Sequence, residues 1–252
     1  MVPDWLQAGL WGLLSGGALL IGAAIGYFLK VPQRVIAGIM AFGSGVLFSA
    51  LAFELMDEAY RVGGFDATAI GFLSGAIVYT AVNYFLSHRG AKHRKRSGSQ
   101  QPTESDQSRS GLTLAAGALL DGIPESIIIG LSLLGGKGVS LVAVIAVFLS
   151  NIPEGLSSAS GMKKAGRSAG YVMTVWLVIA LISGVAALIG FTVFRHYSND
   201  VIAGTTAVAA GAILAMLVDT MIPEAFEETH EFAGLITVAG FLLAFVLSKL
   251  EG

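Results

Sequence analysis

The tripeptide Ile-Pro-Glu occurs three times in this chain, each time within or at the end of an apolar stretch long enough to cross a membrane. The copies are Ile123-Pro124-Glu125, Ile152-Pro153-Glu154 and Ile222-Pro223-Glu224. A carboxylate near the middle of a bilayer costs about 2.5–3.5 kcal/mol on insertion scales, so it indicates function by default. Because proline cannot donate a backbone hydrogen bond, each copy also frees the carbonyl four residues earlier. Buried carboxylates beside freed carbonyls predict a site for a desolvated cation.

Two of the copies lie within larger polar clusters. Asp121 and Glu125 are four residues apart and share a helix face, as do Ser150 and Glu154, while Asn151 lies three residues before Glu154. In the topology described below, both clusters lie at one depth, so these oxygens form a cage suited to a divalent cation. Two other interpretations remain open, namely a hydrogen-bonded network that only joins two helices and a proton relay.

The composition is that of a polytopic membrane protein. Of the 252 residues, 54% are hydrophobic and only 13% are charged, and the mean hydropathy is +0.75. The absence of cysteine excludes disulfides and thiolate metal sites. No His-Glu-x-x-His, Gly-x-Ser-x-Gly or thiol nucleophile occurs, so the chain is not predicted to be an enzyme. No prosthetic group is expected.

Apolar runs predict an all-α fold with eight transmembrane helices in a single domain over residues 1–252. Between the third and fourth runs, residues 88–110 are basic and polar, which predicts a disordered cytoplasmic loop. The predicted spans are 5–29, 35–56, 67–87, 111–134, 138–160, 170–194, 201–223 and 232–250.

Charge distribution orients the predicted helices. With residues 88–110 in the cytoplasm, eleven of the fifteen Lys and Arg residues lie on that side, as the positive-inside rule requires. Both termini then lie outside. A basic loop between two spans determines topology rather than binding nucleic acid, so the lipid bilayer is the expected partner.

Spans two and seven align without a gap at an offset of 166 residues. Span three carries Gly71-Phe72-Leu73 where span eight carries Gly240-Phe241-Leu242. Because spans two and seven would cross in opposite directions, spans 1–3 and 6–8 are predicted to be inverted repeats around spans 4 and 5, a recurrent transporter design. Shared small and apolar composition is the alternative explanation. The matched pairs in spans two and seven are Ala41 with Ala207, Gly45 with Gly211, Glu58 with Glu224, and Ala59 with Ala225.

The paired motifs carry a family resemblance. Asp121-Gly122-Ile123-Pro124-Glu125-Ser126 and Ser150-Asn151-Ile152-Pro153-Glu154-Gly155-Leu156 resemble the span-four and span-five signatures of the ZIP (Zrt/Irt-like) metal transporters, and Met221-Ile222-Pro223-Glu224-Ala225 resembles the end of span seven. The resemblance covers essentially the whole chain. It implies a bacterial-type member that moves zinc, and often iron, manganese or cadmium, toward the cytoplasm across the cytoplasmic membrane. A homodimer is compatible with such a fold, although no motif requires one.

Departures from the family pattern concern the second metal of its two-metal site. The family usually opens the span-four motif with His-Asn, where this chain has Asp121 and Gly122, and span six has Ala187 in place of an acid. We therefore expect one good metal site, formed by Asp121, Glu125, Asn151 and Glu154 with Ser150, and a weak or absent second. The all-oxygen set softens the preference for zinc. The pattern also leaves room for a divergent receptor or scaffold that binds metal or another solute without transporting it.

Acidic residues near the ends of two spans could assist the passage of a cation. Glu54, Asp57 and Glu58 at the outer end of span two are candidates for an entrance, although solvated helix ends explain them almost as well. At the cytoplasmic end of span seven, the candidates for an exit are Asp219, Glu224 and His230.

Overall fold

The computed structural model describes residues 2–103, 110–135 and 138–251, and within these ranges the chain is helical and contains no β-strand. The all-helical prediction is thereby confirmed. Short π-helical stretches cover Leu51–Met56, Ser87–Ala91 and Leu217–Met221, and 3-10 turns cover Leu133–Gly135 and His230–Phe232. The α-helices are α1 Asp4–Phe28, α2 Gln33–Ala50, α3 Asp57–Leu86, α4 Ser110–Ser132, α5 Leu141–Lys164, α6 Ala169–Phe194, α7 Asn199–Met216, α8 Ile222–Thr229 and α9 Ala233–Glu251.

Six helical segments in the described ranges are long and apolar enough to cross a membrane. Two of them, Gln33–Ala91 with 59 residues and Asn199–Leu250 with 52, greatly exceed the ~20 residues that one crossing needs. Each of these two contains a residue with positive φ, at Gly64 (φ 68°) and at His230 (φ 43°), which interrupts the helix. The chain is thus a multi-pass membrane protein. The other four segments are Asp4–Phe28, Leu112–Gly135, Leu141–Lys164 and Ala169–Phe194.

The helices pack in pairs through small residues. Helix α1 packs along α5 and α6, α2 along α9, α3 along α7, and α4 along α6. A Cβ atom added to Gly45 of α2 would lie 1.8 Å from the Thr237 carbonyl oxygen of α9, and one added to Gly211 of α7 would lie 1.9 Å from the Phe72 carbonyl oxygen of α3. Glycine is therefore required at these contacts, where two backbones approach as closely as helices in lipid allow.

The pairs α2–α9 and α7–α3 resemble each other in further detail. Helix α2 continues into the π-helical stretch beginning at Leu51, and α7 continues into the one beginning at Leu217, again 166 residues later. Gly45 and Gly211, which make equivalent close contacts, are separated by the same number of residues. A Cβ atom at Gly240 of α9 would meet the Phe42 carbonyl oxygen of α2, and one at Gly75 of α3 would meet the carbonyl oxygen of Val208 of α7, which again lies 166 residues after Phe42.

Residues 92–103, named here the basic segment, lie against the helices instead of extending away from them. Arg94, Lys95, Ser97 and Gln101 are all buried. Glycines on α4 and α5 make room for the segment, since a Cβ atom at Gly117 would lie 2.5 Å from Arg94 Cδ and one at Gly161 would lie 2.2 Å from the Arg96 carbonyl oxygen.

The polar composition of residues 88–110 predicts disorder, and the structure places residues 92–103 of this loop against the helices. The physical reason lies beneath the segment, where buried carboxylates pair with its cations. Residues 104–109 of the predicted loop lie outside the described residues.

Candidate cation site

Helices α4 and α5 bring the sequence-predicted carboxylates together. Asp121 and Glu125 on α4 and Glu154 on α5 are each at most 3% exposed. Pro124 and Pro153 lie inside these helices, as the motifs predict. The third proline, Pro223, lies in the first turn of α8, directly after the π-helical stretch Leu217–Met221.

Asp121 is neutralised by an arginine of the basic segment. Arg94 donates two hydrogen bonds to its carboxylate, from Nε to Oδ2 and from an Nη atom to Oδ1, both of 2.8 Å. The Tyr79 hydroxyl donates to Oδ1 at 2.7 Å, and Arg94 also donates to the Asn83 side-chain oxygen at 2.9 Å. Bidentate charge-assisted bonds of this kind are among the strongest in proteins. Asp121 is therefore fully engaged by protein groups.

Lys95 lies between the carboxylates of the two helices. Its Nζ atom is 2.9 Å from Glu154 Oε2 and 3.3 Å from Asp121 Oδ2, and its side chain is 3% exposed. Burial alone would lower the pKa of the Lys95 ammonium, but the charges of Asp121 and Glu154 outweigh burial and raise the pKa above its usual range. Lys95 is thus a cation held where α4 meets α5.

Glu125 differs from its two neighbours because no described residue forms an ion pair or hydrogen bond with it. Both of its carboxylate oxygens are buried and lack a hydrogen-bond partner in the described structure. A buried acceptor without a partner normally costs about 1–3 kcal/mol, and more when charged. The side-chain oxygen of Asn151 is also without a partner, while its Nδ2 donates to the Ser15 carbonyl at 2.9 Å. Ser150 donates to its own helix, at the Val147 carbonyl.

The buried groups of the site include more acidic than basic side chains. Three carboxylates, Asp121, Glu125 and Glu154, face two basic side chains, Arg94 and Lys95. Among the described residues, no three His, Cys, Asp or Glu side chains are arranged to hold a metal ion. With Lys95 between them, Asp121 and Glu154 are directed at an ammonium group. The arrangement is one of carboxylates that already hold a cation belonging to the protein.

Glu224 anchors the other end of the basic segment. Its Oε1 accepts hydrogen bonds from the Ser97 backbone N–H at 2.8 Å, the Ser97 hydroxyl at 2.7 Å and the Ser157 hydroxyl at 3.0 Å. Ser157 also donates to the Lys95 carbonyl oxygen. Gln101 donates to the Ser158 carbonyl at 3.0 Å and to two carbonyls of the segment itself. Of the three residues expected at an exit, Glu224 is thus the buried one, whereas Asp219 and His230 are exposed.

The residues expected at an entrance have contacts of their own. Glu54 accepts a hydrogen bond from Ser248 at 2.6 Å. Asp57 and Glu58 are exposed, and Glu58 pairs with Arg61 one turn later. These contacts are with neighbours on α3 and α9 rather than with the buried carboxylates.

Two of the positions that depart from the family pattern, Gly122 and Ala187, carry small residues in different surroundings. A Cβ atom at Gly122 would meet only the Ser183 hydroxyl, at 3.9 Å. Ala187 is fully buried, and Cβ atoms added to Gly12 and Gly130 would lie 2.4 Å from its Cβ and 2.0 Å from its carbonyl oxygen. The backbone of α1 thus lies against the Ala187 side chain, where a longer side chain would extend, and α4 lies against the Ala187 backbone.

Sequence reasoning missed the basic partners of the site. Arg94 and Lys95 belong to the basic run that orients the helices, and Tyr79 was treated only as part of an apolar span. One signal was available: charges buried in a membrane protein are normally paired, so three acids at one depth require cations from somewhere in the chain.

Comparison with known proteins shows relatives of one kind. No protein-family model matches the chain. The zinc transporter ZupT of Clostridium perfringens is 24% identical over 275 aligned residues, which cover 96% of this chain and 96% of its own. The chain is a relative of zinc transporters. A second relative, from Arabidopsis thaliana, is also provisionally named a zinc transporter. It is 24% identical over 222 residues, which cover 87% of this chain. This chain spans about a third of that relative's length, 34%.

These relatives confirm the resemblance that the paired motifs indicate. Both carry the name of zinc transporters and neither that of an enzyme, which agrees with the absence of catalytic motifs from the sequence. The apolar helices of the fold are those of a multi-pass membrane protein, as the composition of the sequence predicts.

Proposed function

We propose that this chain carries divalent metal ions across the cytoplasmic membrane toward the cytoplasm. Zinc is the first candidate substrate, because the relatives in Clostridium perfringens and Arabidopsis thaliana are named for zinc. Manganese and ferrous iron are further candidates because the predicted ligands are oxygen atoms without an imidazole, and cadmium is a candidate because the family resemblance includes it. The metal is the substrate of the protein and not a resident cofactor.

The observation that carries this proposal is the buried and unpartnered carboxylate of Glu125. A protein that used these acids only to join two helices would satisfy each of them, as it does Asp121. An unsatisfied carboxylate at the contact of two proline-containing helices is instead available to an incoming cation. The proposed ligands are Asp121, Glu125, Asn151 and Glu154, with Ser150 as an additional oxygen.

The eight-crossing topology with inverted repeats supports a transport function. The two long segments are interrupted at Gly64 and His230, so each could supply two crossings. The matched π-helical stretches and glycine contacts of α2–α9 and α7–α3 are what two oppositely oriented copies of one unit would produce. Repeats of this kind flank midplane sites in many transporters.

Acidic residues away from the site would then serve the ends of the pathway. Asp57 and Glu58 are exposed and could gather cations outside, together with Glu54. Glu224 is buried beside the basic segment, which favours an exit role for it over the exposed Asp219 and His230.

A second candidate function is metal binding without transport. It is favoured by Lys95, which occupies the space between Asp121 and Glu154, and by the small residues at Gly122 and Ala187. A sensor or scaffold would bind metal and move none.

The decisive experiment is zinc influx into proteoliposomes by the wild type and by Glu125→Gln. This substitution keeps the size of the side chain and breaks no ion pair, so loss of flux reports loss of a ligand. We expect the rate to fall at least about tenfold, the lower end of what even supporting residues of metal sites cost. Glu231→Gln, which removes an exposed carboxylate, is the matched control and should transport normally.

Each outcome selects one function. Saturable flux that Glu125→Gln loses supports the transporter. Zinc binding in detergent without flux in liposomes selects the non-transporting alternative. Normal flux in Glu125→Gln rejects the proposed site.

A further inference from the structure

The basic segment places a lysine where a substrate cation would have to bind. Lys95 Nζ lies 2.9 Å from Glu154 Oε2 and 3.3 Å from Asp121 Oδ2, which are ion-pair distances. Arg94 occupies both oxygens of Asp121 at the same time. A metal ion bound by these two carboxylates would be in contact with the Lys95 ammonium. Since like charges at contact repel strongly in a low-dielectric interior, the two cations exclude each other.

The segment is held in place almost entirely by polar contacts. Its sequence, Lys92 to Thr103, contains no Ala, Val, Leu, Ile, Met, Phe, Tyr or Trp, and Pro102 is its one apolar residue. Arg94 and Lys95 form ion pairs with Asp121 and Glu154, and Arg96 forms ion pairs with Glu224 and Glu227. The segment is also held by the bonds of Ser97 to Glu224, of Gln101 to Ser158, and of Ser157 to the Lys95 carbonyl. Contacts of this type can be exchanged for water or for a metal ion without loss of a hydrophobic core.

Removing the segment without replacing it would be costly. Asp121 and Glu154 would lose their countercharges, and buried carboxylates without a partner are strongly unfavourable. A cation or protonation must therefore neutralise them in either state. Lys95 and Arg94 do so in the docked state, and a divalent ion with its two charges can do so when the segment is away.

We propose that the basic segment is a tethered competitor of the transported cation, in which Lys95 occupies the binding position until a divalent ion displaces it and the segment undocks. The inference rests on the proposed function, because it assigns these carboxylates to metal. It extends that function by making access to the site depend on residues 92–103. The docked segment covers Ser157 and Glu224, so undocking also uncovers the adjacent part of α5.

The test uses the absence of native cysteine, which allows one thiol to report on docking. Ser157 is fully buried and contacts the segment, so Ser157→Cys should react slowly with a small polar thiol reagent in the docked state. Zinc should accelerate the labelling about tenfold if about nine-tenths of the molecules are docked beforehand. Direct binding of zinc to the thiol would slow labelling, so acceleration reports undocking.

A pair of lysine variants separates the competitor from a merely structural segment. In the reporter background, Lys95→Gln should label rapidly without metal, and it should bind zinc about tenfold more tightly than the wild type. Lys92→Gln removes a charge from an exposed residue of the same segment and should behave as the wild type. Lys95→Arg, which retains the charge, should restore slow labelling.

The outcomes distinguish this inference from the proposed function. Zinc flux with a labelling rate that zinc does not change overturns the competitor and leaves the transporter standing. Slow labelling of Lys95→Gln also overturns the competitor, whatever the flux. Acceleration by zinc without any flux supports the competitor and rejects transport.

Ser97→Ala, which removes a docking bond without touching Asp121 or Glu154, provides a second variant if Lys95→Gln fails to fold. It should also label faster than the wild type.

Discussion

At the scale of single residues, the site is governed by the balance of buried charge. Asp121 is neutralised twice, Glu154 once and Glu125 not at all. A buried ion pair adds little net stability, but removing one partner leaves an uncompensated charge that costs about 3–5 kcal/mol. The acids therefore differ in what their loss does: loss of Glu125 removes a proposed ligand without breaking an ion pair, whereas loss of Asp121 also leaves Arg94 without its buried partner.

Asp121→Asn should lower thermal stability in the absence of metal. Arg94 would keep its charge inside the protein without a carboxylate to receive it, and the expected loss is about 3–5 kcal/mol. The measurement is thermal unfolding of the detergent-solubilised protein without added metal. The double variant Asp121→Leu with Arg94→Met removes both charges and should recover most of the loss.

Glu58→Gln serves as the control for that comparison. It breaks an ion pair with the exposed Arg61, and exposed pairs contribute little, so its melting temperature should match the wild type. An unchanged melting temperature for Asp121→Asn would mean that Arg94 finds another anion, and the charge-balance account of the site would be wrong.

The carboxylates of the site were predictable from the sequence, and their cations were not. Helical spacing alone puts Asp121 and Glu125 on one face, and hydropathy puts Glu154 at the same depth. Nothing in the local sequence distinguishes Lys95 from the other basic residues of a solvent-exposed loop. Its burial depends on a partner on another helix, which is a property of the tertiary structure.

At the scale of helices, glycine sets how closely two elements approach. Hydropathy predicted the crossing helices closely, so that residues 170–194 correspond to α6 at Ala169–Phe194. It did not predict which glycines are contact points, because a glycine facing lipid and one facing a carbonyl have the same sequence signature. Gly38 and Gly45 lie on the same helix, yet only Gly45 meets a backbone oxygen.

Gly45→Ala and Gly211→Ala should both destabilise the fold, and by similar amounts. Each adds a methyl group within 2 Å of a backbone carbonyl, at 1.8 Å and 1.9 Å respectively, and overpacking of this kind costs about 1–3 kcal/mol. Gly38→Ala is the matched control, since its nearest neighbour is the Ile236 Cδ1 atom at 3.9 Å. Because alanine favours helix over glycine, Gly38→Ala should be neutral or stabilising in the same unfolding assay.

The comparison of the two variants also bears on the repeat. Equal losses agree with equivalent contacts in two copies of one unit. If Gly45→Ala lowered the free energy of unfolding strongly and Gly211→Ala did not, the two helix pairs would contribute unequally to stability. The matching offsets would then reflect shared composition.

At the scale of the whole molecule, the number of crossings determines which surfaces share a side of the membrane. If Gln33–Ala91 and Asn199–Leu250 each cross twice, the chain has eight crossings and the basic segment lies opposite both termini. If each crosses once, the chain has six crossings and the N-terminus lies on the side of the basic segment. A helix of 59 residues rising about 1.5 Å per residue is roughly three times the thickness of the hydrocarbon core, which favours two crossings.

Single cysteines placed in this cysteine-free chain should distinguish the two topologies. With eight crossings, an impermeant thiol reagent applied to intact cells labels Asp4→Cys and Ser198→Cys but neither Ser99→Cys nor Glu231→Cys until the cells are permeabilised. With six crossings, Asp4→Cys behaves like Ser99→Cys. Asp4, Ser99, Ser198 and Glu231 are all exposed, so failure to label reports the side of the membrane rather than burial. Ser99 belongs to the basic segment, so its labelling from outside would place that segment, with Lys95, outside the cell. Undocking of the segment toward the cytoplasm would then be wrong, because the direction of transport and the position of Lys95 depend on the same topology.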